Sequence, residues 1–370
     1  MKRATLANWR TAPHNRWAFH HVRELVASAD IAHDPARVRA LPAQPADFTS
    51  LRIDPDSGEA MGVEAFLQET DTDGMAILQR GRLVFERYGN GMTADDPHIL
   101  MSVSKSMLAV LMAELGIESA RPVVDFVPEV KDTAYEDATL RDLLDMRAGI
   151  VWEENYHATS GPIVEYRKAT GWNPLGPGQM RSDLHSFYQH IRETRAHGGP
   201  LHYVSPNSDL LGWVVERATS RAYPELMSEL LWKKTGAERA AYITIDRLGA
   251  PRCAGGMCTT LRDLARVGQW LIEERLSFLE DLRRGDAAAW SNGDLAYLYP
   301  GLPIRYRNQW YVLEGEAPLY FGMGIHGQNL FVDPANGLVI AKFSSQAAPL
   351  DAPRIALTMR AMSQLRKDLA

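Results

Sequence analysis

Ser102-Val103-Ser104-Lys105 sets a hydroxyl three residues ahead of an amine. On a helix, side chains at i and i+3 share one face and lie within hydrogen-bond reach. The segment opens an apolar-periodic run through Val103, Met107, Val110 and Leu111, so Ser102 stands at a helix start. At that position the helix dipole and partial burial both disfavour a charged amine. A neutral Lys105 could take the Ser102 proton and turn a weak nucleophile into an attacking one. The plain alternative is a serine that caps the helix and a lysine in solvent, and these four residues alone favour it. A second segment bears on the choice. Tyr203-Val204-Ser205 leads into Pro206-Asn207-Ser208-Asp209-Leu210-Leu211, a turn entering an apolar helix. A phenol held near an amine can pass a proton to a leaving group, whereas a lone tyrosine there would simply pack.

The elements that must position these groups follow from periodicity. Residues 75–88 read as two strands around an Arg80-Gly81 turn. From Ser102 to Gly268 helical spacing dominates. Strand patterns return at Tyr320–Gly324, Leu330–Asp333 and Leu338–Phe343, the last after the Pro334-Ala335-Asn336-Gly337 turn signal. Strands at both ends with helices between predict that the two ends share one sheet, with a helical lobe beside it and a cleft between. Residues 1–50 read as an arm with Trp9, Trp17 and Phe19, a helical stretch, and coil at Pro42 and Pro45. The expected organisation is this arm followed by one body at 51–370. Its sheet lobe covers about 51–100 and 250–370, and its helical lobe about 101–249.

Composition narrows the function classes. The 370 residues are 45% hydrophobic and 23% charged, values of an ordinary globular chain that needs no disulfide or metal staple. A net charge of −6 offers no footprint for nucleic acid. Cys253 and Cys258 fit neither a zinc knuckle nor a redox pair, and so few thiols suggest a reducing compartment. The first residues carry charge without an apolar core, and the strongest apolar stretch, Met107–Leu115, is too short to span a bilayer and contains Glu114. A cytoplasmic protein acting on a small molecule, without a membrane, is expected; a homodimer is compatible with it.

Ser102-x-x-Lys105 followed by Tyr203-x-Ser205 resembles the serine β-lactamase, penicillin-binding protein and esterase superfamily, in its class C-like branch. Three stretches strengthen the resemblance: Ala138–Ile150, Cys253–Ala265 with its Gly255-Gly256 turn, and Gly327–Pro334. It covers roughly residues 60–345. It implies an α+β fold of the β-lactamase/transpeptidase-like type, a mostly antiparallel sheet flanked by helices plus a helical lobe. It also implies an acyl-enzyme on Ser102, with Lys105 as its base, Tyr203 as proton donor, and the N–H groups of Ser102 and Ile325 as oxyanion donors. No cofactor and no metal are implied.

The departures point to a substrate class. Many relatives have Tyr-x-Asn where this chain has Tyr203-x-Ser205, with Asn207 two residues later. Their third motif, with Lys or His before Thr-Gly, falls near Gly322-Met323-Gly324, which lacks a cation and should hold a β-lactam carboxylate poorly. With Gly324-Ile325-His326-Gly327-Gln328 the pattern resembles the 6-aminohexanoate-dimer hydrolases and carboxylesterases. Tyr156 and Trp172 resemble substrate-facing residues of the former, alongside Ser205, Gly324 and His326. A linear amide or ester is therefore the expected substrate. The alternatives are a carboxylesterase or D-amino-acid peptidase of the same fold and, more remotely, a silent ligand-binding protein. Gly322-x-Gly324-x-x-Gly327 matches a dinucleotide fingerprint, but a strand pattern follows it where a helix is required. No G-x-S-x-G or H-E-x-x-H segment occurs.

Overall fold

The computed structural model describes residues 3–55 and 58–369. Its strands, numbered in chain order, are β1 (Ser28–Ile31), β2 (Thr72–Gln79), β3 (Arg82–Tyr88), β4 (His98–Ile99), β5 (Ala241–Thr244), β6 (Met257–Thr259), β7 (Ile304–Arg307), β8 (Trp310–Leu313), β9 (Leu319–Gly324), β10 (Gln328–Asp333) and β11 (Leu338–Ser344). Seven of them form one antiparallel sheet in the order β3-β2-β11-β10-β9-β8-β7. β2 pairs with β11 from Gln79 opposite Leu338 to Met75 opposite Lys342, so the two ends of the body do share a sheet.

Alternation decides which side chain enters which core. Ala76 and Leu78 of β2 join Leu330 and Val332 of β10 and Val339 and Ala341 of β11 in one cluster. Met75 and Ile77, Phe331, and Leu338 and Ile340 enter the cluster on the other face. A sheet buried on both faces gives continuous apolar runs rather than alternating ones, as the sequence of β11 shows. The helix Leu261–Glu274 covers the first face with Leu264, Val267 and Leu271, and starts where the Thr260 hydroxyl accepts the Asp263 N–H. The helix Ala352–Asp368 covers the second with Leu357, Met362 and Leu365. Burying each such side chain contributes about 1.5–3 kcal/mol.

A second sheet, β1-β5-β6-β4, was not expected from the sequence. It draws β1 out of the segment read as an arm and pairs it with β5, Ser28 opposite Thr244 and Ile31 opposite Ala241. Trp9 and Phe19 of that segment are buried, the Trp9 indole N–H donates to the Trp172 carbonyl at 3.1 Å, and Trp17 remains exposed. The helix Val103–Leu115 is enclosed on every side from Val103 to Met112 and ends at Gly116. Both cysteines are free and buried. Among the described residues, no helix is long and apolar enough to cross a membrane.

Candidate active site

Ser102 occupies a turn held from several directions. Leu100 N–H donates to the Met257 carbonyl of β6 at 2.8 Å, and Val103 and Ser104 N–H groups donate back to Leu100 and Met101. Met101 adopts a left-handed φ of 46°, which a non-glycine residue takes at some cost and which turns Ser102 outward. The Ser102 hydroxyl makes no capping bond to the helix it precedes.

Lys105 lies one turn inside that helix and is 1% exposed. Its Nζ is 3.0 Å from Ser102 Oγ, 3.2 Å from Ser205 Oγ and 2.6 Å from the Ala254 carbonyl oxygen. Burial, with Arg252 adding to it and Glu154 and Asp209 opposing it, brings Lys105 down to about 7. An amine with that affinity is substantially neutral near pH 7 and can accept a proton from a hydroxyl 3.0 Å away.

Tyr203 completes the group. Its ring lies under Lys105, with Nζ 5.0 Å from the centroid. Burial pushes the phenol up, with the nearby Ser102 hydroxyl opposing it, so it stays protonated and able to donate. The Tyr203 main-chain N–H donates to Asp294 at 3.2 Å. Two residues on, at the start of the helix Ser205–Thr219, Ser205 enters the same cluster through Lys105. Asn207 turns elsewhere: its side chain accepts from the Tyr135 phenol at 3.0 Å.

Two carboxylates missed in the sequence reading hold these parts. Glu154 accepts from Ser205 Oγ at 2.5 Å, from Ser205 N–H at 3.1 Å and from the Trp152 indole at 2.7 Å. Asp209 pairs with Arg252 and accepts the Ala254 N–H at 2.7 Å, which fixes the turn whose carbonyl meets Lys105. No motif signalled either residue: Asp209 lies within the 203–211 segment beside other residues, and Glu154 two residues before Tyr156.

The end of β9 closes the opposite wall. A Cβ on Gly324 would fall 2.7 Å from the Leu100 carbonyl oxygen and 3.0 Å from Ser102 N, so only glycine lets this strand approach the Ser102 turn. Ile325 follows it directly. Among the described residues, neither the Ser102 nor the Ile325 N–H is spent on a turn or loop carbonyl. Ser102, Ser205, Tyr156, Trp172 and Ile325 line one cavity. Gly324 and His326 are not among its lining residues. His326 is buried behind it, with Nδ1 2.7 Å from the Gln346 carbonyl oxygen and its ring against Phe19, and burial first lowers it to about 4. The sequence reading also missed three cations that line the cavity, Arg10, Arg167 and Arg252. Among the described residues, no group of three His, Cys, Asp or Glu is placed to hold a metal.

A family model described as beta-lactamase matches residues 63–361. The chain belongs to the beta-lactamase family. Within it, the chain is 34% identical over 362 residues to a 6-aminohexanoate-dimer hydrolase of Paenarthrobacter ureafaciens, covering 93% of this chain and 89% of that one. The beta-lactamase family and this hydrolase relative make the chain a serine hydrolase. Solved structures repeat the fold. A Bacillus anthracis protein provisionally named 6-aminohexanoate-dimer hydrolase superposes with a TM-score of 0.89 at 24% identity, over 100% of this chain and 99% of its own. The hydrolase EstCE1, with promiscuous acyltransferase activity, gives a TM-score of 0.61 at 15% identity over 80% of this chain and 97% of its own.

Proposed function

We propose that Ser102 is the nucleophile of an amide or ester hydrolase acting on a small linear substrate, of the kind named by the 34% identical dimer hydrolase. The observation that carries the reading is one buried amine, Lys105 Nζ, set 3.0 Å from a half-buried serine hydroxyl. Lys105 takes the Ser102 proton as Oγ attacks the carbonyl carbon. The N–H groups of Ser102 and Ile325 receive the oxyanion, where fixed donors stabilise charge without reorganising. On collapse the carbon–nitrogen bond breaks, Tyr203 gives its proton to the departing amine, and Lys105 returns one to Tyr203. Water then repeats the sequence on the acyl-enzyme, releasing the acid and restoring Ser102.

Tyr156 and Trp172 shape the cavity, and Ser205 and Gly324 keep its catalytic groups in register. For His326, 2% exposed and off the cavity lining, we propose support of the β9 turn in place of substrate contact. The enzyme is read as cytoplasmic, consistent with two unpaired thiols, and independent of nucleic acid, membrane, metal or cofactor. A homodimer is the oligomeric state to test. Turnover of a linear ω-amino-acid dimer amide, beside a short nitrophenyl ester, tests the substrate class. Amide cleavage is the expected result; ester turnover alone would make the enzyme a carboxylesterase.

A further inference from the structure

Three arginines reach the catalytic cavity from separate parts of the chain: Arg10 from the N-terminal segment, Arg167 from the helix Pro162–Ala169, and Arg252 from the turn before β6. Arg10 Cζ lies 5.7 Å and Arg252 Cζ 4.9 Å from the centre of the Trp172 ring. That ring borders the nucleophile's turn, since a Cβ on Gly255 would sit 3.3 Å from Trp172 Cη2 and 3.7 Å from the Met101 carbonyl carbon.

Two of the three cations form no ion pair among the described residues. Arg252 is spent on Asp209. Arg167, 6% exposed, donates among the described residues only to the carbonyls of Ala158 at 3.3 Å and Asn155 at 3.1 Å. Arg10 donates to the Asn173 side-chain oxygen, and its buried Nε has no partner. Among the described residues, neither Arg10 nor Arg167 forms an ion pair with a carboxylate. Glu154, the one carboxylate among the described residues that lines the cavity, acts on Arg167 through its charge without an ion pair, its oxygens being engaged by Ser205 and Trp152. Burial and then the two neighbouring arginines bring Arg10 down to about 9, still protonated at neutral pH. A buried charge left without a counter-ion is costly, and a bound anion removes that cost.

We propose that the substrate carries a carboxylate, which Arg10 and Arg167 hold beside Trp172 while Ser102 meets the scissile carbonyl. This deepens, and rests on, the assignment of Ser102 as nucleophile. The cation absent from β9 is thereby supplied by other elements. Planar guanidinium groups suit a carboxylate because they can donate two parallel N–H bonds.

The test compares kcat/KM on three linear amides that differ in one group: N-propylpentanamide, its analogue with a carboxylate ending the acyl chain, and its analogue with a carboxylate ending the amine chain. One carboxylated amide should be preferred over the neutral one by about tenfold to a hundredfold, the range for hydrogen bonds to charged groups. Arg10→Gln and Arg167→Gln should each shrink that ratio. A measurement on the native enzyme needs no variant to fold: adipate should slow fluorophosphonate labelling of Ser102, and hexane-1,6-diamine should not. Equal rates on all three amides, or no protection by adipate, overturn the carboxylate proposal while leaving Ser102 labelled and active. Failure of Ser102 to label at all would instead overturn the reading beneath it.

Discussion

Lys105 Nζ stands 3.0 Å from Ser102 Oγ, with Ser205 Oγ at 3.2 Å and the Ala254 carbonyl oxygen at 2.6 Å as further hydrogen-bond partners. The amine is therefore oriented whether or not it carries a proton, and its protonation state decides whether it can act as a base. Lowered to about 7, it should leave the enzyme slow below that pH and bring kcat/KM up to a plateau above it. Glu154 raises Lys105, so Glu154→Gln should move the midpoint of the profile to lower pH. A pH–rate profile on one nitrophenyl ester, for native enzyme and variant, measures both; a midpoint that stays put or rises in the variant contradicts the argument.

Removing the amine should remove acylation. Lys105→Ala is expected to lower the acylation rate by about 10²–10⁴, the usual worth of a positioned acid–base group. Lys105→Arg should not restore it, because a guanidinium does not give up its proton. Stopped-flow acylation with a nitrophenyl ester reads both variants. Near-native turnover by the arginine variant would show that a positive charge suffices.

Tyr203 should matter more for an amide than for an activated ester. An amine must be protonated to leave, whereas nitrophenolate leaves as a stable anion. Tyr203→Phe keeps the ring under Lys105 and removes only the hydroxyl. The amide rate should fall by about 10²–10⁴ and the nitrophenyl ester rate by less. Steady-state kinetics on one of each decides it, and equal losses would place the phenol in acyl-enzyme formation generally.

Asp209 touches no reacting atom, yet Asp209→Ala should be severe. Arg252, which lines the cavity, would lose its ion-pair partner, and the Ala254 N–H its acceptor. Breaking a buried pair from one side costs about 3–5 kcal/mol. Urea denaturation monitored by circular dichroism should show that loss as a lower midpoint. An unchanged midpoint would mean that water replaces the pair.

What the sequence disclosed and what it hid follow from the range of each signal. Ser102, Lys105, Tyr203 and Ser205 sit in short local patterns at helix starts, and the main sheet's strands are long apolar runs such as Leu338–Phe343. The second sheet escaped because β4 has two residues and β6 three, too few for any period to register. Ile325 came from the family resemblance, since a backbone N–H leaves no mark of its own in a sequence. Arg10 stands on the arm-like segment and meets Trp172 and Asn173 more than 160 residues on, a pairing that only the folded chain creates. His326 illustrates the converse. A histidine next to Ile325 reads as a site residue, whereas its ring packs against Phe19 off the cavity lining, where we read it as support for the β9 turn.

The central claim is that one serine carries the acyl group. Intact-mass measurement after treatment with a fluorophosphonate, followed by peptide mapping, tests it most directly. A single adduct on Ser102, absent from Ser102→Ala and strongly slowed in Lys105→Ala, is the expected result. An adduct on Ser104, Ser106 or any other serine with Ser102 unmodified would contradict the account.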